Sequence, residues 1–340
     1  MINILPVAKP ILDSYPSHGA VFSILEAHTQ DYLPWVYNLY VQLSAPESFK
    51  YGNRLNFLVP DPMRDCCPWL QTINMNRNLA LKISDITDLI KHYIDHDYYF
   101  YACFNVQQIS AYHKSSVFNH EVLIYGYNDT KKEFYFSDNY KHGKYSHGIA
   151  SYKEIEKATE LFVSSKDLLG FKGIKYTSQN SFKTFKFDYQ TYINLINDYI
   201  YQKNSSTRWE VPGTIIKMYE GRKWGIGVYS FVSEYLQTIK GSGKRLDLRG
   251  FYVLKEHKTL LKKSLSYVLG NVWAEKYPLV AQTIEKNINI LSIIININLK
   301  YNMKHDDYLI DKIKCYISEL EISDKELFPH LIQILRNERT

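Results

Sequence analysis

Apolar and aromatic residues fill two short runs, Val122-Leu123-Ile124-Tyr125-Gly126-Tyr127 and Phe134-Tyr135-Phe136, separated by the polar turn formers Asn128, Asp129 and Thr130. That pattern predicts a β-hairpin with strands at 119–127 and 133–140. A buried-type aromatic strand over 98–109 precedes it, and helical spacing of apolar positions marks two earlier segments. Residues 12–45 carry Ala20-Val21-Phe22-Ser23-Ile24-Leu25 within a helical run. Residues 84–96 place Ile86, Leu89, Ile90, Tyr93 and Ile94 on one side, with Ser84 as the expected N-cap. After the hairpin, Ser151-Tyr152-Lys153-Glu154 has the spacing of a capping box opening another helix.

Beyond about residue 180 the pattern becomes helical throughout, with periodic segments at 187–203, 224–240, 251–270, 274–300 and 306–320. Breaks such as Glu210-Val211-Pro212-Gly213 and Gly241-Ser242-Gly243 separate them. The expectation is an α+β domain over 1–178, a polar linker within Tyr176–Lys183, and an all-α domain over 184–340. A length of 340 residues agrees with two domains.

Composition narrows the function classes. The net charge of +6 is mild for this length and lacks the dense Lys/Arg stripe of a nucleic-acid binder. Lys240–Arg245 and Lys255-Glu256-His257-Lys258 read as a solvated loop and helix face, with a landing surface for an acidic partner as the alternative. Asp247-x-Arg249 suits a loop leading into a helix and, with Glu256-His257-Lys258, a structural ion-pair network. The first residues lack a signal-peptide pattern, and the apolar stretch 288–299 is interrupted by Asn289, Asn296 and Asn298 and falls short of the roughly 20 residues a bilayer needs. A cytoplasmic protein with no membrane partner is expected. Cys66, Cys67, Cys103 and Cys315 match no zinc spacing and read as reduced, structural thiols. Neither a phosphate-cradling glycine loop nor an H-E-x-x-H motif occurs, so no cofactor and no metal are expected.

Register supplies the candidate chemistry. With the turn centred near Asn128 or Thr130, paired residues sum to roughly 258–260, which sets His120 opposite or diagonal to Asp138 on one face of the sheet. A carboxylate there orients an imidazole, the base half of a nucleophilic triad.

The hairpin also resembles papain-like folds of the bacteriocin-processing (C39-like) peptidase type and the butirosin-biosynthesis acyltransferase group. Those proteins carry a strand of the form His-x-x-x-x-x-Gly-Tyr-x-Asp and then a strand ending in Asp; His120, Gly126, Tyr127, Asp129 and Asp138 match. Residues 94–103 are similar to the helix end and strand that lead into it, and the likeness extends over about half the chain. It implies a papain-like N-terminal domain and acyl-group chemistry in nonribosomal-peptide or related natural-product biosynthesis.

In those families the nucleophile is a cysteine at the start of the first core helix, where amides and the helix dipole stabilise thiolate and oxyanion. Here the corresponding segment, Ser14-Tyr15-Pro16-Ser17-His18-Gly19-Ala20, has none. Three readings follow. Ser17 is a hydroxyl nucleophile activated by His120, or else an N-cap; His18 is an added acid, base or ligand-orienting group; or the cleft is noncatalytic. Helix amides with Asn119 or Gln107 would complete an oxyanion hole. The resulting expectation is acyl transfer to an amine, or hydrolysis, through an acyl-enzyme on a carrier-bound or small peptide substrate, with Ser17, His120 and Asp138 catalytic. A noncatalytic protein docking a carrier domain or peptide, and a leader-peptide peptidase, are the alternatives.

Overall fold

The computed structural model describes residues 1–58, 67–141, 143–163, 170–178, 185–208 and 221–338. In chain order the elements begin β1 (Ile2–Ile4), α1 (Pro16–His28), α2 (Leu33–Leu39), β2 (Leu43–Ala45), β3 (Asn56–Phe57) and β4 (Leu70–Met75). Next come α3 (Arg77–Ile83), α4 (Ile86–Asp95), β5 (Tyr99–Asn105), β6 (Asn119–Asn128), β7 (Glu133–Lys141), β8 (Lys144–Ser151), α5 (Tyr152–Glu160) and β9 (Phe171–Tyr176). The remainder is α6 (Tyr189–Ile200), β10 (Lys223–Trp224), α7 (Val228–Ile239), α8 (Arg249–Leu269), α9 (Trp273–Lys276), α10 (Pro278–Lys304) and α11 (Asp307–Asn337).

Two compact units result, one of Met1–Tyr32 with Pro60–Thr184, the other of Leu33–Val59 with Phe185–Thr340. The expected division cut the chain once, near 180. In the structure Leu33–Val59 joins the later residues, because β2 pairs with both β3 and β10. That three-stranded sheet also means the second unit is not all-helical. The linker residues 179–183 and the Glu210–Gly213 break lie outside the described residues.

In the first unit an antiparallel sheet runs β4-β9-β5-β6-β7-β8, and β1 pairs with the far end of β6. The β6–β7 hairpin forms as the pattern requires, with Leu123 opposite Ser137 and Ile124 opposite Phe136. A bulge between Ile124 and Gly126 shifts the register toward the turn. Strands β1, β4, β8 and β9 of this sheet were not foreseen from the sequence.

The two faces of this sheet are distinguishable by pairing. Phe100, Ala102 and Phe104 stand beside Ile124, Val122 and His120 respectively, and Ile124 beside Phe136. This face is covered by α4 and α5, with Tyr93 against Phe100 and Tyr152 against Phe134. The opposite face carries Tyr99, Tyr101, Glu121, Leu123 and Ser137 and is covered by α1. His28 bonds the Tyr99 hydroxyl at 3.0 Å, and Ser23 bonds that of Tyr145 at 3.1 Å.

Local signals set the helix ends, with some departures from expectation. The capping box at Ser151 and Glu154 is present. Helix α4 is capped by Asp85, whose carboxylate accepts from Asp88 N–H at 2.9 Å, whereas Ser84 closes α3. The span expected to be helical over 12–45 breaks at Thr29–Tyr32, where polar Thr29, Gln30 and Asp31 give way to Pro34 in the first turn of α2, and it ends in β2. Segment 274–300 is likewise divided at Tyr277-Pro278, where Pro278 takes the first turn of α10, a position at which its missing N–H costs nothing. Among the described residues no helix is long and apolar enough to cross a membrane, and no group of His, Cys, Asp and Glu forms a metal cluster.

Candidate functional site

His120 and Asp138 meet. Pairing on this side of the bulge sums to 260, so His120 lies diagonal to Asp138 on the face covered by α4 and α5, and His120 Nδ1 is 2.6 Å from Asp138 Oδ2. The carboxylate is fully buried. It also receives the Tyr112 hydroxyl on Oδ2 at 2.5 Å and the Asn139 amide on Oδ1 at 2.5 Å. A buried carboxylate requires such donors, because stripped of them its desolvation costs several kcal/mol.

With Nδ1–H donating to Asp138, the neutral imidazole keeps Nε2 as an acceptor, the tautomer a general base needs. The side chain is 25% exposed, so the ring is held from below and open above. Phe118 stacks on it at 5.3 Å and 22°, and the Lys114 ammonium sits over Phe118 at 4.8 Å. Burial alone draws the His120 pKa down; the hydrogen bond to Asp138 and its negative charge outweigh that, and the net displacement is upward, with Glu121 adding and Lys114 opposing.

Of the residues expected to accompany this pair, Ser17 and His18 belong to α1. Ser17 lies within the first turn of α1 and not at its cap, which is Tyr15 with extended backbone and Pro16 following. His18 is buried, edge-on to Tyr15 at 5.8 Å and tilted against Phe22 at 6.3 Å. The helix addresses the sheet face opposite to His120: Gly19 abuts the Tyr145 ring, and the Tyr145 hydroxyl is hydrogen-bonded to Ser23. The chain just before α1 is tied to β7 by Asn139 Nδ2 donating to the Asp13 carbonyl at 2.5 Å. The body of α1 thus packs through Gly19 and Ser23 on the sheet face opposite to His120, while the chain entering the helix is held at Asn139, the neighbour of Asp138.

The two proposed oxyanion donors each make one structural hydrogen bond. Asn119 Nδ2 donates to the Val163 carbonyl at 2.9 Å, and as the neighbour of His120 in a strand it points to the other face. Gln107 Nε2 donates to the Ser115 carbonyl at 3.2 Å, fastening the 113–118 loop beside His120. Tyr112 is the site residue that sequence reading missed. One tyrosine among 30 carries no local signal.

A second polar cluster lies in the other unit. Asp324 Oδ2 accepts from Lys258 Nζ at 2.5 Å and from the hydroxyls of Tyr199 and Tyr229 at 2.7 Å each, and Lys258 and Asp324 are both fully buried. His257 donates from Nε2 to the Val41 carbonyl at 2.8 Å and stacks on Tyr199. Burial, then the neighbouring ammonium, push its pKa well down, so it stays neutral. The expectation of a solvated face at 255–258 is corrected for His257 and Lys258, which belong to the apolar stripe of α8. Asp247 and Arg249 do form an ion pair at 2.7 Å at the start of that helix. Of the cysteines, Cys67 is buried, Cys103 half-buried and Cys315 exposed, while Cys66 lies outside the described residues.

Comparison with known proteins finds no matching family model and no matching curated protein.

Proposed function

We propose that the protein is an acyl-transfer or acyl-hydrolysis enzyme in which His120 acts as general base directly on the attacking amine or water, oriented by Asp138. The observation that carries this is the 2.6 Å bond from a partly open imidazole to a fully buried carboxylate held by two further donors. Such an arrangement fixes tautomer and ring orientation and leaves Nε2 outward. In the step envisaged, the substrate amine or water forms a bond to the acyl carbon while Nε2 takes its proton. Nε2 then returns that proton to the departing thiolate or alkoxide as the carbon–sulfur or carbon–oxygen bond breaks. The scheme needs no acyl-enzyme on Ser17; the body of α1 packs through Gly19 and Ser23 on the opposite sheet face. The resemblance of the His120–Asp138 hairpin to papain-like acyltransferases of natural-product biosynthesis supports the choice of acyl chemistry and of a small peptide or amine, free or carrier-bound, as substrate.

That same placement of α1 favours a second reading, a papain-like protein that binds a carrier domain or peptide without catalysis. The two are separated by assaying acyl thioesters and activated esters with and without small amines. Enzyme action requires turnover above buffer that falls about 100-fold or more in His120→Ala and persists in Ser17→Ala. Turnover indistinguishable between wild type and His120→Ala would leave only the binding protein.

A further inference from the structure

Asp138 Oδ2 receives two hydrogen bonds, and the second comes from a residue placed with unusual care. Tyr112 ends a short 3-10 turn, Ser110–Tyr112, and is followed by His113 in the left-handed region at φ 49°. The turn is pinned from outside: Ser110 N–H donates to Glu154 Oε1 at 2.8 Å, while the other oxygen of Glu154 takes the Ser151 amide at 2.6 Å in the α5 capping box. The Tyr112 ring lies flat on Phe136 at 5.7 Å and 13° and against Tyr140 at 5.2 Å. Ring, turn and cap together leave the buried hydroxyl aimed at a single acceptor, 2.5 Å away.

We propose that Tyr112 is a positioning residue for His120, acting through Asp138: its hydroxyl locks the carboxylate and shares the oxygen that binds Nδ1. Two consequences follow from elementary electrostatics. A phenol donating to Oδ2 draws negative charge off that oxygen, so the carboxylate stabilises the imidazolium less than it otherwise would. It also fixes the carboxylate's rotation, and with it the plane of the imidazole. The base is thereby kept from holding its proton too tightly, since Asp138 alone in a dry site would push the imidazole still further up. The phenol itself remains protonated, because burial and then the adjacent carboxylate raise its pKa far above the ordinary tyrosine range.

This proposal rests on the acid–base reading of His120, but its measurement does not need turnover. In Tyr112→Phe of the full chain the ring packing on Phe136 is retained and only the hydroxyl is lost. Titration of the His120 ring followed by NMR is expected to move upward by about half a unit to one unit relative to wild type. Where a reaction is measurable, the acidic limb of its pH–rate profile moves by the same amount. An unchanged or lowered His120 titration overturns the role of Tyr112. Should Tyr112→Phe fail to fold, 3-fluorotyrosine at position 112 keeps the ring and strengthens the donor; the His120 titration must then move down, and no movement overturns the proposal. Failure of the enzyme reading is recognised separately, as wild-type protein that turns over no acyl substrate while the titration still responds to Tyr112.

Discussion

At the residue scale, His120 is controlled by its partners. Because Asp138 is what lifts the imidazole against burial, Asp138→Asn should reverse the balance and bring the His120 titration below the ordinary 6.5, as read by NMR. The folded-state pKa exceeds the unfolded one, so the folded chain binds this proton more tightly. The pair's contribution to stability is therefore whole below pH 6.5 and is lost as pH rises through the folded-state value. Denaturant unfolding of wild type and His120→Ala at pH 5.5 and pH 9 should show the larger difference at the acid end; equal differences would contradict it. The pairing itself was legible from residue numbers, since parity and a short turn fix which side chains share a face. Tyr112 was not, because a side chain reaching in from a 3-10 turn has no register relation to the strands.

At the element scale, packing of α1 decides between two accounts of the same helix. In an ordinary exposed helix interior Gly→Ala stabilises by about 1 kcal/mol. At Gly19 a Cβ would lie 2.4 Å from the Tyr145 ring, whose hydroxyl is held by Ser23 at 3.1 Å. Overpacking therefore wins, and Gly19→Ala should cost about 1–3 kcal/mol in chemical denaturation. Ser17→Ala, by contrast, removes no cap and should leave stability within about 0.5 kcal/mol of wild type. The apolar helical run of α1, buried continuously from His18 to Leu25, was readable in the sequence. Which sheet face receives it was not, because both faces of the central strand β5 are buried and either could take a helix.

At the scale of the whole molecule, the second unit closes around a buried charge and around a strand borrowed from early in the chain. Lys258→Met alone strands the Asp324 carboxylate and should cost about 3–5 kcal/mol, whereas Lys258→Met with Asp324→Leu should recover most of it in thermal unfolding. A fragment of residues 184–340 lacks β2 and β3, the partner of β10, and the Val41 carbonyl that His257 requires. It should therefore lack the cooperative unfolding transition of the full chain, by circular dichroism. Sequence by itself determined the elements with short-range causes: the hairpin and its parity, the capping box at Ser151, the amphipathic helices of the second half, and the meeting of His120 with Asp138. These follow from backbone periodicity and from groups a few residues apart. Tertiary structure alone decided that α1 covers the face away from His120, that Leu33–Val59 belongs with the later chain, and that Tyr112, Lys258 and Asp324 find their partners. Each of those contacts joins residues distant in sequence, where burial is decided by which surfaces remain to be covered and no local pattern records the answer.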